Sequence, residues 1–264
     1  MKKFISTIAI SAMLFAGTAS AAATMDEKPF DTVPNWQFSN VSLNKLDWSS
    51  GTHERSGGNL KDFTFIEIEG GAGFDWGDTY GFLDIEDFTN YGSRDDIKLS
   101  GKYVVNVYTP IENVSVYHQT FVVATKDFDT ADSVLGLSYR TDLLGVKVAP
   151  FAGVQYSSHD ADFEGKHNFS GMNGYMFGWS AMYNFEIGSE KFSATNWHEI
   201  TVGRTHEYLK AAGEAREFSQ NGALSLWWHP TRHLTTGIQY RYGDNKIGTH
   251  GNANAAVYTI KYNF

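Results

Sequence analysis

The hydrophobic and polar positions alternate with a period of two along most of the chain. The clearest case is the carboxyl end, where Ala256, Tyr258, Ile260, Tyr262 and Phe264 share one face and Thr259, Lys261 and Asn263 the other. A period of two is a β-strand with one apolar face and one wet face. Thr64, Ile66 and Ile68 oppose Phe65, Glu67 and Glu69; Leu83 and Ile85 oppose Phe82, Asp84 and Glu86. Tyr103, Val105 and Val107 oppose Lys102, Asn106 and Tyr108, and Tyr175, Phe177, Trp179, Ala181, Tyr183 and Phe185 form the longest apolar stripe. Strands are predicted over 36–48, 62–70, 80–88, 97–108, 114–124, 134–140, 146–156, 175–185, 192–203, 218–228 and 234–242, with a closing strand at the carboxyl end. That makes 12, an even count that puts both ends of the sheet on one side.

The connections sort by length. Long or polar loops are expected after Trp48, Phe88, Ala124, Tyr156, Gly203 and Tyr242, and short turns near Pro110, Asp142, Ser189 and Pro230. Gly70 to Asp78 breaks the rule. Lys126 to Asp132 reads as an acidic loop, Ser157 to Gly171 as a long polar one, and Ala211 to Glu214 as a helical turn within the loop Arg204 to Glu217. Long loops on one side and short turns on the other are the arrangement of a bacterial outer-membrane barrel. The expected fold is all-β: a 12-stranded antiparallel transmembrane β-barrel. About 20 residues per strand and connection cover the about 9–11 that cross the bilayer. The closing strand should pair antiparallel with the strand from Trp36, with Lys261 and Asn263 facing the lumen. Phe264 is expected to engage the barrel assembly machinery.

Composition places this barrel. Met1-Lys2-Lys3, the apolar run Phe4 to Gly17 and the small residues Thr18 to Ala23 read as a secretory signal peptide, 1–23. Residues 24–35 read as a periplasmic segment able to plug the barrel mouth, and 36–264 as the barrel. No apolar run reaches the length of a transmembrane helix. There is no cysteine, so no disulfide framework supports an exported chain. Fourteen Tyr, 19 Phe and 7 Trp sit in a chain that is polar on average, as a barrel with a lipid-facing apolar half and a wet interior requires. The net charge of −9, more acidic still without Lys2 and Lys3, argues against nucleic acid as a partner. The expected surroundings are outer-membrane lipid and lipopolysaccharide, and the plain apolar stripe at Tyr175 to Phe185 points to a monomer.

Phe65-Ile66-Glu67-Ile68-Glu69, then Tyr80-Gly81-Phe82-Leu83-Asp84-Ile85, resemble the Tsx-type family of nucleoside-specific outer-membrane channels, which includes the Vibrio OmpK-like porins. Asn173-Gly174-Tyr175, expected to open a strand, and Asn221-Gly222-Ala223 before Trp227-Trp228 are similar too. The resemblance runs in order along most of the exported chain and departs in the loops and at the amino end. It implies a 12-stranded barrel with a narrow lumen, passive nucleoside uptake, and use of the outer loops by phage or colicin.

A nucleoside is neutral, with a flat base and a hydroxylated sugar, so a selective pore needs aromatic faces and polar groups together. The predicted lumen faces carry both. Phe65, Phe82 and Tyr108 could stack a base beside Glu67, Glu69, Asp84 and Glu86. Lys102, Arg140, Lys147, Gln155, Glu199, Gln239, Arg241 and Lys261 are predicted on lumen faces elsewhere. The competing reading is that any barrel of this width fills its interior with paired charges.

Two other functions compete with this one: a structural or receptor barrel without a selective pore, and a barrel enzyme acting on lipid. Against the enzyme, there is no Gly-x-Ser-x-Gly stretch, and His118 on the face of Val116 and Val122 has no serine partner there. His229 and His233 are separated by a turn at Pro230; His198-Glu199 and His206-Glu207 lack a second zinc-site histidine. His159, Asp160, Asp162, Glu164 and His167 read as a solvated loop in preference to a cation site. No cofactor, metal or catalytic residue is expected.

Overall fold

A computed structural model describes residues 33–57, 60–88, 97–161, 168–246 and 251–264. The expected signal peptide, 1–23, and residues 24–32 of the following segment lie outside the described residues, as do Asp162, Glu164 and His167. The strands are β1 (Trp36–Trp48), β2 (Phe63–Phe74), β3 (Gly77–Glu86), β4 (Lys98–Tyr108), β5 (Val114–Ala124) and β6 (Phe128–Tyr139), which resumes at Thr141–Leu143 after a break at Arg140. Next come β7 (Val146–Ala161), β8 (Phe169–Ile187), β9 (Glu190–Val202), β10 (Ser219–Thr231), β11 (Leu234–Asp244) and β12 (Asn252–Asn263). Short helices α1 (Ser50–Arg55) and α2 (His206–Ala212) lie in the loops after β1 and β9.

Each strand pairs antiparallel with the next, and β12 pairs with β1, so the sheet closes into a 12-stranded barrel. The seam runs from Asn40↔Asn263 to Trp48↔Ala255, and the Phe264 amide donates to the Ser39 carbonyl at 3.1 Å. Closure leaves no strand edge, which lipid would not tolerate.

The register places the two faces as the alternation predicts. Ile68, Tyr175, Phe177, Leu224, Tyr258, Ile260 and Tyr262 are exposed on the outside. Asn40, Ser42, Asn44, Gln119, Gln155 and Ser225 are buried on the inside. In a soluble protein that distribution would be inverted; here lipid solvates the outer face.

Several connections differ from the expectation. Gly70 to Asp78 is strand on both sides of the two-residue turn Asp75-Trp76, so the exception to the loop sorting disappears. Its glycines serve the inner wall: the Phe38 and Trp36 rings lie over Gly71 and Gly73, where a Cβ would collide with them. The acidic stretch ending at Asp132 is mostly strand. Only 125–127 connect β5 to β6, in a turn whose Thr125 hydroxyl accepts from the Phe128 amide at 2.9 Å. Residues 157–161 and 169–171 also belong to strands. His159 and Asp160 therefore point to opposite faces of β7, and His159 stacks on Phe128 instead of joining a loop cluster. The helix after β9 starts at His206 and ends at Gly213, whose φ of 64° terminates it.

Asn173-Gly174 does not open a strand but forms a bulge inside β8. Gly174 has φ 78°, and a Cβ there would strike the Val202 carbonyl. The bulge turns Asn173 into the interior, fully buried.

Two apolar clusters fill parts of the interior. Leu46, Trp48, Phe65, Ala253, Ala255 and Val257 meet near the loop end of β12–β1–β2, covered by Leu60 and Phe63. Tyr117, Val134 and Met176 pack with Val104 and Phe151 on the opposite side.

An arginine at outward Ile68, near the middle of β2, is expected to cost about 2–4 kcal/mol. Denaturant unfolding of the Ile68→Arg barrel in phospholipid vesicles measures this.

Candidate functional site in the lumen

The interior is assembled from alternate residues of all 12 strands, so its chemistry is a map of inward positions. Every residue predicted for the lumen falls on an inward position of the register. Phe65, Glu67 and Glu69 stand on β2, Phe82, Asp84 and Glu86 on β3, and Lys102 and Tyr108 on β4. Arg140 interrupts β6; Lys147 and Gln155 are on β7, Glu199 on β9, Gln239 and Arg241 on β11, and Lys261 on β12. The register also separates their surroundings. Phe65 is buried in the apolar cluster at the loop end and offers no open face. Lys147 is exposed near the turn end.

The four carboxylates form an acid wall that is held by named partners. Glu69 accepts from Lys261 Nζ at 2.6 Å, from the Tyr80 hydroxyl at 2.8 Å and from Asn40 Nδ2 at 3.0 Å. Glu86 accepts from Lys98 Nζ at 2.9 Å and from the Ser100 hydroxyl at 2.7 Å. Glu67 lies in the fields of Lys261 and Arg241, and Asp84 in those of Arg241 and Lys98. Seven buried side-chain atoms have no hydrogen-bond partner among the described residues, and Asn40 Oδ1, Asp84 Oδ1, Asn221 Oδ1 and Arg241 Nε are among them. Such atoms are uncommon in protein interiors.

A strut crosses the lumen. Lys102 on β4 pairs with Glu199 on β9, five strands away. Gln119 on β5 donates to Glu199 at 3.2 Å and lies at the same distance from the Met176 sulfur on β8. Trp197 sits beside the strut, with Lys102 Nζ 5.5 Å and the Arg241 guanidinium 5.8 Å from its ring centroid.

Aromatic rings form a ladder on the inner wall of β1–β3. Trp36 stacks on Phe38 with centroids 6.4 Å apart and planes 10° apart. Phe38 and Tyr80 follow at 6.5 Å, and Tyr80 and Phe82 at 6.4 Å. Trp36 is 49% and Phe38 42% exposed, so these rings present open faces toward the turn end. Only Phe82 of the four was singled out from sequence. Tyr80 shares its parity with Phe82 and Asp84, Trp197 with Glu199, and Trp36 and Phe38 with Asn40 and Ser42. Parity was thus the signal that could have found them, but irregular alternation in β1 and β9 obscured it.

The loop after β9 folds onto the lumen wall. Buried Arg204 pairs with Glu214 and donates to the Arg216 carbonyl at 2.6 Å. Asn245 Nδ2 donates to the Arg216 and Phe218 carbonyls, each at 2.9 Å. The Asn173 bulge accepts from the Thr205 amide at 3.0 Å and donates to Ser157 at 2.9 Å, tying the loop to β7 and β8. Tyr208 of α2 meets Phe169 edge to face at 5.6 Å. Burial raises the Glu214 carboxyl above its ordinary value, against the lowering effect of Arg204 and Lys246.

Loss of Lys102 is expected to strand buried Glu199 and to cost about 3–5 kcal/mol. Lys102→Met with Glu199→Leu should recover most of that loss. Denaturant unfolding of the single and double variants makes the comparison.

The barrel fold has a counterpart among solved structures. The NanC porin superimposes with a TM-score of 0.50 at 10% identity, over 84% of this chain and 98% of that one. LpxR from Salmonella typhimurium gives 0.42 at 9% identity, over 84% and 99%. The outer membrane channel DcaP of Acinetobacter baumannii gives 0.39 at 10% identity, over 86% and 96%. Residues 43–264 match the family described as nucleoside-specific channel-forming protein, Tsx. The chain belongs to this family: it is an outer-membrane β-barrel channel.

Proposed function

We propose that this member of the Tsx family is a passive channel selective for nucleosides. The observation that carries the reading is the open ladder Trp36–Phe38–Tyr80–Phe82 next to the acid wall. A base has a π-face for each ring, and stacking is worth about 1–3 kcal/mol per base. Unlike an apolar slot, this wall also bonds a sugar. The carboxylate of Glu69, the Tyr80 hydroxyl and the Lys261 ammonium beside the ladder supply acceptors and donors for its hydroxyl groups. Each contact is modest, which suits a site that must release its solute.

The charge pattern supports a neutral solute. The carboxylates Glu69 and Glu86 disfavour a phosphate, while their partners Lys261 and Lys98 keep the wall from becoming a trap for cations. The strut and the two apolar clusters narrow the lumen, so a solute touches the wall instead of diffusing through a wide aqueous bore. The barrel works as a monomer in lipopolysaccharide and phospholipid.

Adenosine and thymidine are expected to reduce the single-channel current of the purified barrel in a planar bilayer. Phe38→Ala should weaken that block by about five- to a hundredfold, the range that one lost stack allows. Current that neither nucleoside changes would count against the selective channel. Failure of vesicles carrying the barrel to swell in small neutral solutes would favour a receptor without a useful pore.

A further inference from the structure

The loop that follows β9 is seated inside the barrel mouth at the loop end, on inward residues of other strands. Asn173 of β8 accepts from the Thr205 amide at 3.0 Å, and Phe169 of β8 meets the Tyr208 ring. Asp132 of β6 lies in electrostatic reach of Tyr208. Tyr208, Leu209 and Ala211 make the buried side of α2. Asp132 is held in turn by the wall: it accepts from Gln155 Nε2 at 3.0 Å and from the Ser157 hydroxyl at 2.6 Å. Another contact reaches it across the bore. Lys246, just beyond β11, brings its Nζ to 3.9 Å from the carboxylate, and β11 and β6 are five strands apart around the ring.

The seat is hinged and charged. Gly203 and Gly213 have φ of 67° and 64°, in the left-handed region, and no described atom lies within 4 Å of where a Cβ would stand on either. The segment between them carries α2 and has an uncrowded pivot at each end. What holds it to the wall is a set of side-chain contacts, with no strand ladder of its own. Four charged groups share the buried interface: Arg204 after β9, Glu214 after α2, Lys246 after β11 and Asp132 on β6. The Tyr208 hydroxyl lies among them and His159 of β7 beside Asp132. Arg216 pairs with Asp244 at the rim, and His206, Glu207 and Lys210 lie on the exposed side of α2.

We propose that the loop 204–217 is a hinged gate at the loop-end mouth, which acid holds in its folded-in, current-restricting position and which swings out as the pH rises. Burial raises the Glu214 carboxyl above its ordinary value, opposed by Arg204 and Lys246 and reinforced by Asp132. Swung out into water, the same carboxyl returns to that ordinary value. The folded-in gate therefore binds the proton more tightly, and protons favour it. Its advantage is complete below the ordinary carboxylate value and is lost as pH rises through the raised one.

The test reads ionic current, so it stands apart from which solute the channel selects. The purified full-length channel in a planar bilayer is stepped from pH about 7 to about 4, a span that covers the carboxylate range. Current is expected to fall about fivefold, the low end of ordinary conformational coupling. The chain has no cysteine, which permits a second readout. Ala211→Cys, on the buried side of α2, is labelled with a membrane-impermeant maleimide, and its rate is divided by that of Lys210→Cys at the same pH. That ratio should fall with the current. Glu214→Gln keeps the side chain's size and removes its charge; it should hold the gate in at neutral pH, with low current, a low ratio and no response to acid. Arg204→Met leaves the buried Glu214 charge without its ion-pair partner and should raise both readouts at neutral pH. Asn173→Ala, which removes the acceptor for the Thr205 amide, should act in the same direction if the Arg204 variant loses the heat-dependent gel migration of a folded barrel. Current and ratio that acid leaves unchanged overturn the gate. So does a fall in current at constant ratio, or an acid response that survives in Glu214→Gln.

Discussion

The pairing of β1 with β12 is the interaction on which the rest of the structure depends. Lipid supplies no partner for a backbone N–H or C=O, so a sheet in the membrane must close. Closure turns a period of two into a physical division: one set of side chains meets lipid and the other meets a confined interior. The inward placement of Glu67, Asp84, Lys102 and Arg241 follows from the seam at Asn40↔Asn263, because a slip of one residue would turn a strand's whole inner set outward.

A confined interior must then satisfy its own polar groups. Glu69 takes three partners and Glu86 two, while Lys102 and Glu199 meet across the bore. These contacts do two things at once. They make burial of charge tolerable, and they tie opposite walls of the barrel together. The aromatic ladder stands beside this network, with Phe38 and Trp36 laid over Gly71 and Gly73.

The bulge at Asn173-Gly174 shows how a local backbone feature serves the whole molecule. Gly174 permits the left-handed turn, and Asn173 gains a buried position from which it holds the loop that begins at Thr205. Arg204 and Asn245 complete that fold by bonding the carbonyls of Arg216 and Phe218. A long outer loop is thereby packed against the wall by side chains, with only one short helix of its own.

By itself, the sequence determined what depends on parity and composition: 12 strands, the two faces, the closing partner of the terminal strand, and the inward position of each candidate residue. These were legible because lipid on one side and polar neighbours on the other impose alternation residue by residue. Strand ends were less legible, since Gly71, Gly73 and Asp132 are inward wall residues that imitate turn or loop composition. Only the tertiary structure decided which inward residues meet. Phe65 and Phe82 have the same sequence signature, yet one is buried under Leu60 and Phe63 and the other continues an open ladder. Lys102 and Glu199 are 97 residues apart, and nothing in their own strands indicates the other. Such pairings are set by barrel circumference and register, which are properties of the closed sheet and of no single strand.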